Sequence, residues 1–138
     1  MQVVFDGRCF GCGADNPDGL QLRFDEVDGT AVTELEVPAR FQSWQGVVHG
    51  GMVALMLDEA ISWAAWNAGR PGVTGRLEVK YRQPLRVGER VRLTGRVDSL
   101  RRTLVYATAF IDRIADGGRV AEATATLMVR EVDLQARR

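Results

Sequence analysis

One long apolar stretch, from Gly46 to Gly69, constrains the fold of this chain more than any other feature. It starts with His49-Gly50-Gly51, continues through apolar residues to Leu57, meets the carboxylate pair Asp58-Glu59, and is apolar again to Trp66. A helix with this pattern is apolar on nearly all sides, which is typical of a helix buried inside a fold. The rest of the chain must therefore surround this helix, and the acids at its middle require an explanation.

Alternating apolar and polar residues on both sides of the helix predict strands. Before it, two short runs separated by Asp28-Gly29 indicate a hairpin, over residues 20–25 and 32–37. After it, four longer runs are separated by turn residues, and they begin near Arg76, Arg90, Leu104 and Arg119. Because charged residues alternate with apolar ones, the sheet should be antiparallel and packed on one face only. The predicted class is α+β, with one long central helix wrapped by a curved antiparallel sheet of five to six strands.

The length of 138 residues predicts a single domain over residues 1–138, in which residues 1–20 form a turn-rich N-terminal loop segment. Residues 133–138 are polar and are expected to fray.

Eighteen basic residues balance eighteen acidic ones, so no overall charge favours nucleic acid or an anionic membrane as a partner. The first residues lack the pattern of a secretory signal, and Asp58 interrupts the apolar stretch before it reaches membrane-spanning length. We expect a cytoplasmic protein.

Cys9 and Cys12 form a single C-x-x-C pattern, followed by Gly13 and Pro17. A structural zinc needs four ligands, and the chain offers two thiolates and one distant histidine, so such a site would have to be shared between subunits. A thioredoxin-like motif would need a strand before it and a helix opening at it, whereas the glycines and Pro17 favour turns. We interpret the segment as a packed loop and expect no metal or cofactor, with a metal or redox site as the alternative.

The glycine-rich start of the long helix predicts a site for a polarised oxygen. A helix N-terminus presents unpaired backbone N–H groups and the positive end of the helix dipole. Such an end can bind a phosphate, or it can polarise a carbonyl whose oxygen becomes negative in a transition state. Because the glycine patterns of nucleotide-binding loops are absent from the sequence, we favour the carbonyl. The alternative for His49 is a helix-cap or loop histidine.

Asp58 lies eight residues after Gly50, which is about 12 Å along a helix axis. A reacting carbonyl carbon must lie within about 3 Å of both its oxyanion donor and its base or nucleophile. The side chain of Asp58 is too short to close that gap, so the two groups should come from two antiparallel copies of the helix in a homodimer. Asp58 and Glu59 could instead form a solvated stripe, but their apolar flanks favour a raised pKa and a functional role.

The histidine, the two glycines and the acid nine positions after the histidine resemble the hotdog-fold acyl-CoA thioesterases of the PaaI-like branch. The resemblance continues through Val73-Thr74, the strand from Leu77 to Tyr81, and the turn from Pro84 to Gly88. The segment from Cys9 to Leu20 is similar to the N-terminal loop of one subgroup. Nearly the whole chain is covered. The resemblance implies a long helix in a curled antiparallel sheet, with dimers formed through the sheet and often paired again into homotetramers.

The resemblance also implies roles for individual residues. The backbone N–H of Gly50 polarises the thioester carbonyl, and Asp58 of the opposite subunit is the general base or nucleophile. His49 holds the thioester end of the substrate, and Thr74 positions water or the acid. The substrate-binding residues implied alongside them are Gly51, Ser43, Arg101 and Arg102. Ser43 takes the place six positions before His49 where members of the branch often have asparagine, and the arginines are candidates for the phosphates of coenzyme A.

The function implied is hydrolysis of an acyl-CoA thioester to a free carboxylic acid and CoA. The alternative is a non-catalytic hotdog protein that binds and senses acyl-CoA. Glu59 competes with Asp58 for the catalytic role, but only Asp58 has the spacing of the family, and adjacent helix positions point about 100° apart.

Overall fold

The computed structural model describes residues 2–134 and consists of one long helix against a six-stranded sheet. The helix, α1, spans Gly50–Asn67, and a short 3-10 helix spans Ala39–Phe41. The strands are β1 (Val3–Phe5), β2 (Asp25–Val27), β3 (Thr30–Glu36), β4 (Gly72–Tyr81), β5 (Arg90–Arg101), β6 (Leu104–Arg113), β7 (Arg119–Val129) and β8 (Val132–Leu134). Within the described chain no helix is long and apolar enough to cross a membrane.

The main sheet has the order β2-β3-β5-β6-β7-β4, and all its neighbouring strands are antiparallel. This confirms the predicted α+β class, the central helix and the strand number. β1 and β8 form a separate parallel pair, so Asp133 and Leu134 are part of a strand where fraying was expected. The other residues of that polar tail, 135–138, lie outside the described residues.

The predicted first strand of the hairpin is wrong in position. Leu22 and Phe24 are buried as the alternation indicated, but the ladder begins only at Asp25. Gln21 has a φ of 51°, which breaks the extended conformation. The N–H groups of Leu20 and Leu22 donate instead to the carbonyls of Phe10 and Gly11 in the N-terminal loop. Residues 20–24 are therefore bonded to the N-terminal loop, and the N–H groups of Leu20 and Leu22 are not available for pairing with a strand.

A row of small residues across the sheet lets α1 lie close to it. Ala31, Gly95, Ala109 and Ala123 are in register on β3, β5, β6 and β7. Above this row the helix is buried on most of its surface, with Met56, Leu57, Ala60 and Ile61 fully enclosed. The apolar character of the helix on nearly all sides is thus explained by burial, and the two carboxylates at its middle are partly buried.

We expect Gly95→Ala to destabilise the protein by about 1–3 kcal/mol, because a Cβ at this position would overpack the helix–sheet contact. The added atom would lie 2.1 Å from the backbone oxygen of Ala60, so either α1 or β5 would have to move. Denaturant unfolding followed by circular dichroism measures the change. Thr94→Ala, at the half-buried neighbouring position of β5, is the matched control. Equal stability of wild type and Gly95→Ala would contradict the close approach.

The two ends of the main sheet differ in length. β2 has only three residues, whereas β4 at the other end has ten. Among the described residues, the outer edge of β4 has no strand beside it. A long open edge of this kind is normally covered, since its unpaired N–H and C=O groups otherwise pair with another chain.

Candidate active site

His49 caps the N-terminus of α1. Its Nδ1 accepts a hydrogen bond from the Gly51 N–H at 2.8 Å, and its carbonyl accepts from Met52 and Val53. An accepting Nδ1 carries no proton, so the neutral ring has its proton on Nε2. The structure thus supports the helix-cap alternative for His49. It also shows that the Gly51 N–H is already used inside the chain.

The Gly50 N–H is the open donor at this end of the helix. Gly50 is exposed, and no described residue accepts a hydrogen bond from its N–H. Together with Ser43 and Tyr81, Gly50 lines a cavity of about 320 Å³. An unpaired N–H at the positive end of a long helix can bind a carbonyl oxygen and stabilise negative charge that develops on it.

Tyr81 is a site residue that the sequence did not reveal. Its hydroxyl donates to the carbonyl of Gly50 at 2.7 Å, so the end of β4 is tied to the start of α1. The side chain remains 55% exposed. In the sequence Tyr81 is simply the last apolar residue of an alternating strand, and only the contact across 31 positions shows its place at the helix start.

Asp58 and Thr74 are brought together on the other part of the helix. The Thr74 hydroxyl donates to Oδ1 of Asp58 at 2.7 Å. Thr74 is the third residue of β4, and the side chains of Asp58 and Thr74 are both partly buried. This hydrogen bond fixes the orientation of the carboxylate and leaves its second oxygen to act on a ligand or on water.

The side chain of Glu59 contacts the N-terminal loop and not Thr74. Its Oε1 lies 3.3 Å from the sulfur of Cys9, and its Oε2 is buried without a hydrogen-bond partner among the described residues. Burial, with a smaller contribution from the negative charge of Cys9, raises the pKa of Glu59 to about 8. The side chains of Asp58 and Glu59 therefore lie in different surroundings, because adjacent positions of a helix point about 100° apart.

Ser43 closes a turn before the helix. Its N–H and its hydroxyl both reach the carbonyl of Val47, at 2.7 Å and 3.3 Å. The hydroxyl is thus used locally, although the residue lines the same cavity as Gly50. Beside it, Trp44 is 85% exposed, which is unusual for a large aromatic side chain.

Arg101 and Arg102 lie at the turn between β5 and β6, and both are exposed. Neither forms an ion pair within the part of the chain that the structure describes. Through the register of the strands, Arg101 is in the same row as Leu104, Met128 and Val73. The arginine turn is thus three strands, or about 14 Å, from the start of β4 beside Thr74.

Within one chain the two parts of the site stay apart. Gly50 and Asp58 lie on one continuous helix, about 12 Å from each other along its axis. The open Gly50 N–H and the Asp58 carboxylate are therefore too far apart to contact one carbonyl group within a single copy.

Comparison with known proteins gives three findings. The family model of the thioesterase superfamily matches residues 45–120. Acyl-coenzyme A thioesterase 13 of Homo sapiens is 26% identical over 96 residues, which are 68% of this chain and 69% of that protein. The same protein of Pongo abelii gives the same values. The range matched by the family model, residues 45–120, contains His49, Asp58 and Thr74.

Solved structures agree in fold. Zebra fish thioesterase superfamily member 2 has a TM-score of 0.76 and 27% identity, over 89% of this chain and 92% of that chain. The PaaI protein of E. coli has a TM-score of 0.70 and 19% identity, over 77% of this chain and 76% of that chain, which shows a common fold. The resemblance to hotdog-fold thioesterases that the residues of α1 indicated is confirmed. The chain belongs to the thioesterase superfamily.

Proposed function

We propose that this protein hydrolyses acyl-CoA thioesters to a free carboxylic acid and CoA, at sites shared between two copies of the chain. The observation that carries the proposal is the pair of half-sites on α1: an open Gly50 N–H at its start and an oriented Asp58 at its middle. The curated relatives at 26% identity, which are named acyl-coenzyme A thioesterases, support the substrate class.

The open edge of β4 provides a way to join the half-sites. Antiparallel pairing of two β4 strands about their midpoint sets Gly72 opposite the partner's Tyr81 and extends the sheet through both copies. Tyr81 is bonded to Gly50, and Thr74 is bonded to Asp58. This pairing therefore brings the Asp58 of one copy toward the helix start of the other. A homodimer built in this way has two equivalent sites, as twofold symmetry requires.

The chemistry follows from these positions. The thioester oxygen accepts from the Gly50 N–H, which stabilises the negative charge that forms when the carbonyl carbon is attacked. Asp58 of the other copy, held in place by the Thr74 hydroxyl, either takes a proton from the attacking water or attacks the carbon itself. With water as the nucleophile, the C–S bond breaks, CoA leaves as the thiolate, and the proton taken up by Asp58 passes to its sulfur. With Asp58 as the nucleophile, the C–S bond breaks to give a mixed anhydride and the thiolate, and water then hydrolyses the anhydride to the free acid and restores the carboxylate. His49 orients the helix start through its bond to Gly51 and presents its Nε2 side to the ligand.

The arginine turn is the proposed contact for the phosphates of coenzyme A. Arg101 and Arg102 are exposed, have no ion-pair partner among residues 2–134, and lie at the same end of the sheet as Thr74. Guanidinium groups bind phosphate through charge-assisted, often paired, hydrogen bonds. Ser43 is proposed to shape the cavity wall around the thioester, and Gly51 to hold the His49 ring beside it, and neither is proposed to donate to the thioester.

Turnover of a panel of acyl-CoAs tests the proposal. Short, medium, long and aromatic acyl-CoAs are each incubated with the protein, and the released thiol of CoA is measured with a chromogenic thiol reagent. We expect saturable hydrolysis of at least one class. Saturable binding of acyl-CoA without turnover of any member would contradict hydrolysis and favour the sensing function, and the absence of both would reject acyl-CoA as the ligand.

A further inference from the structure

A second cluster of reactive side chains lies between the N-terminal loop and α1, at the helix position next to Asp58. Cys9 and Cys12 from the N-terminal loop meet Glu59, and one ligand atom of each lies within 4.8 Å of the other two. All three residues are partly buried. The mechanism proposed for thioester hydrolysis uses none of them. Two thiols and a carboxylate converging in this way form a typical ligand set for a soft divalent cation.

The backbone around the cysteines is shaped to bring the three groups together. The Gly13 N–H donates to the carbonyl of Cys9 at 2.9 Å, which closes the C-x-x-C-G turn. Gly11 lies directly on Glu59, since a Cβ at Gly11 would be 2.4 Å from the Glu59 carboxyl carbon. A Cβ at Gly13 would be 2.5 Å from the backbone nitrogen of Cys9. Both glycines are therefore required for the turn to fit around the sulfur atoms and against the acid.

The cluster lacks a positive charge. Oε2 of Glu59 is buried without a hydrogen-bond partner, and none of the ion pairs in the described chain includes Glu59. A hydrogen bond from the Cys12 thiol, with the backbone N–H groups of Cys12 and Gly11, lowers the pKa of Cys9. The same thiol–thiol contact, together with burial, raises the pKa of Cys12. An acidic group crowded against two others in a buried place would be stabilised by a divalent cation.

We propose that Cys9, Cys12 and Glu59 bind one Zn²⁺ ion, with the fourth coordination position open. A tetrahedral zinc site with Zn–S of about 2.3 Å and Zn–O of about 2.0–2.2 Å places its ligand atoms about 3.5–3.8 Å apart. The Cys9 sulfur and Oε1 of Glu59 are 3.3 Å apart, and no pair in the cluster exceeds 4.8 Å. Small side-chain movements are sufficient to coordinate the ion.

Glu59, the third proposed ligand, could not be identified from the sequence. The two cysteines and the distant His49 suggested a site shared between subunits, whereas Glu59 completes a site within one chain. Cys9, Cys12 and Glu59 all line a cavity of about 180 Å³, whose wall also includes Phe5, Ser62, Trp63 and Trp66. A water molecule or a small ligand can bind the ion there, as in zinc sites with three protein ligands.

The zinc site would tie the N-terminal loop to the middle of α1, one residue from Asp58. Residues 6–24 contain no strand or helix, so turn and loop hydrogen bonds, and not a sheet ladder, hold this segment against α1. A bound ion adds its binding free energy to the folded state. We therefore expect the loop, and the helix surface beneath it, to be more stable with Zn²⁺ than without it.

Cobalt substitution tests the site without any measurement of activity. The reduced protein, freed of metal with a chelator, is titrated with Co²⁺ and then with Zn²⁺. We expect one equivalent of Co²⁺ to give the visible bands of a tetrahedral site and a near-ultraviolet thiolate-to-cobalt band, both removed by Zn²⁺. Cys9→Ser and Cys12→Ser should abolish the thiolate band. Glu59→Gln should weaken binding by more than the roughly 10–100-fold that loss of an outer-shell partner costs.

Asp58→Asn is the matched control, because it changes the neighbouring carboxylate of the same helix. It should bind Co²⁺ as the wild type does even if it loses turnover, so failure of the zinc site and failure of the thioesterase proposal are distinguishable. Absence of cobalt binding to the reduced wild type would overturn the zinc site, as would unchanged affinity in Glu59→Gln. A check that needs no variant is thiol labelling: Zn²⁺ should protect both cysteines of the wild type, and equal labelling rates would also overturn the proposal.

Discussion

Replacing Asp58 with asparagine is expected to lower kcat for acyl-CoA hydrolysis by about 10²–10⁴-fold, the range that a positioned acid or base contributes. Asparagine keeps an oxygen at the place where the Thr74 hydroxyl donates, so the contact at 2.7 Å can persist and the fold should not change. The loss would then come from the missing negative charge. Initial rates of thiol release give kcat, and circular dichroism with thermal unfolding shows that the variant is folded.

Asp25→Asn is the control for this variant. It makes the same chemical change at the opposite end of the sheet, on the exposed strand β2, and we expect wild-type turnover. Equal kcat for wild type and Asp58→Asn would remove Asp58 from the mechanism. The proposed reaction would then need another base or nucleophile.

The helix and the long strands were predictable because each follows a local rule. The apolar stretch of α1 and the alternation in β5, β6 and β7 are visible in short windows, and the structure contains all four elements. The predicted strand over residues 20–25 failed for a non-local reason. Its buried residues, Leu22 and Phe24, follow the alternation, but hydrogen bonds to the N-terminal loop replace the sheet ladder.

The site was predictable only in part. The features that the sequence did not reveal again depend on contacts between residues that are far apart along the chain. Asp58 and Thr74 were both named from the family resemblance, and their hydrogen bond spans 16 positions. The position of Tyr81 at the helix start and that of Glu59 beside the two cysteines were not predicted, since they depend on contacts across 31 and 50 positions. Neither the periodicity of a strand nor a C-x-x-C pattern indicates which distant residue will pack against it.

A shift of one helix position gives Asp58 and Glu59 different contacts. The two acids are adjacent and chemically alike, yet one accepts from Thr74 at the start of β4 and the other faces two thiols in the N-terminal loop. The sequence indicated an acid pair in apolar surroundings, and spacing distinguished the two members. The separate surroundings allow two independent sites on one turn of helix, one for a thioester and one for a metal ion.

Replacing Gly50 with proline is expected to lower kcat by about 10²–10³-fold, as removal of one oxyanion donor does in other enzymes. Proline lacks the backbone N–H, and it is well tolerated at the first position of a helix. His49 has φ of −57° and ψ of 132°, the extended conformation that a residue before proline prefers. Gly50→Ala is the control because it keeps the N–H, and its Cβ would lie 3.7 Å from Tyr81, an ordinary contact. Rates of thiol release for both variants measure the effect.

Mixing the two inactive variants tests whether the half-sites come from different subunits. A dimer of one Gly50→Pro chain and one Asp58→Asn chain has one damaged site with both changes and one intact site with neither. If subunits exchange freely after unfolding and refolding together, half of the dimers are mixed, and we expect about a quarter of wild-type activity to return. Sites contained within single chains predict no recovery, because every site would then carry one of the two changes. Recovery therefore requires that the Gly50 N–H and the Asp58 carboxylate act on one thioester from opposite copies of α1.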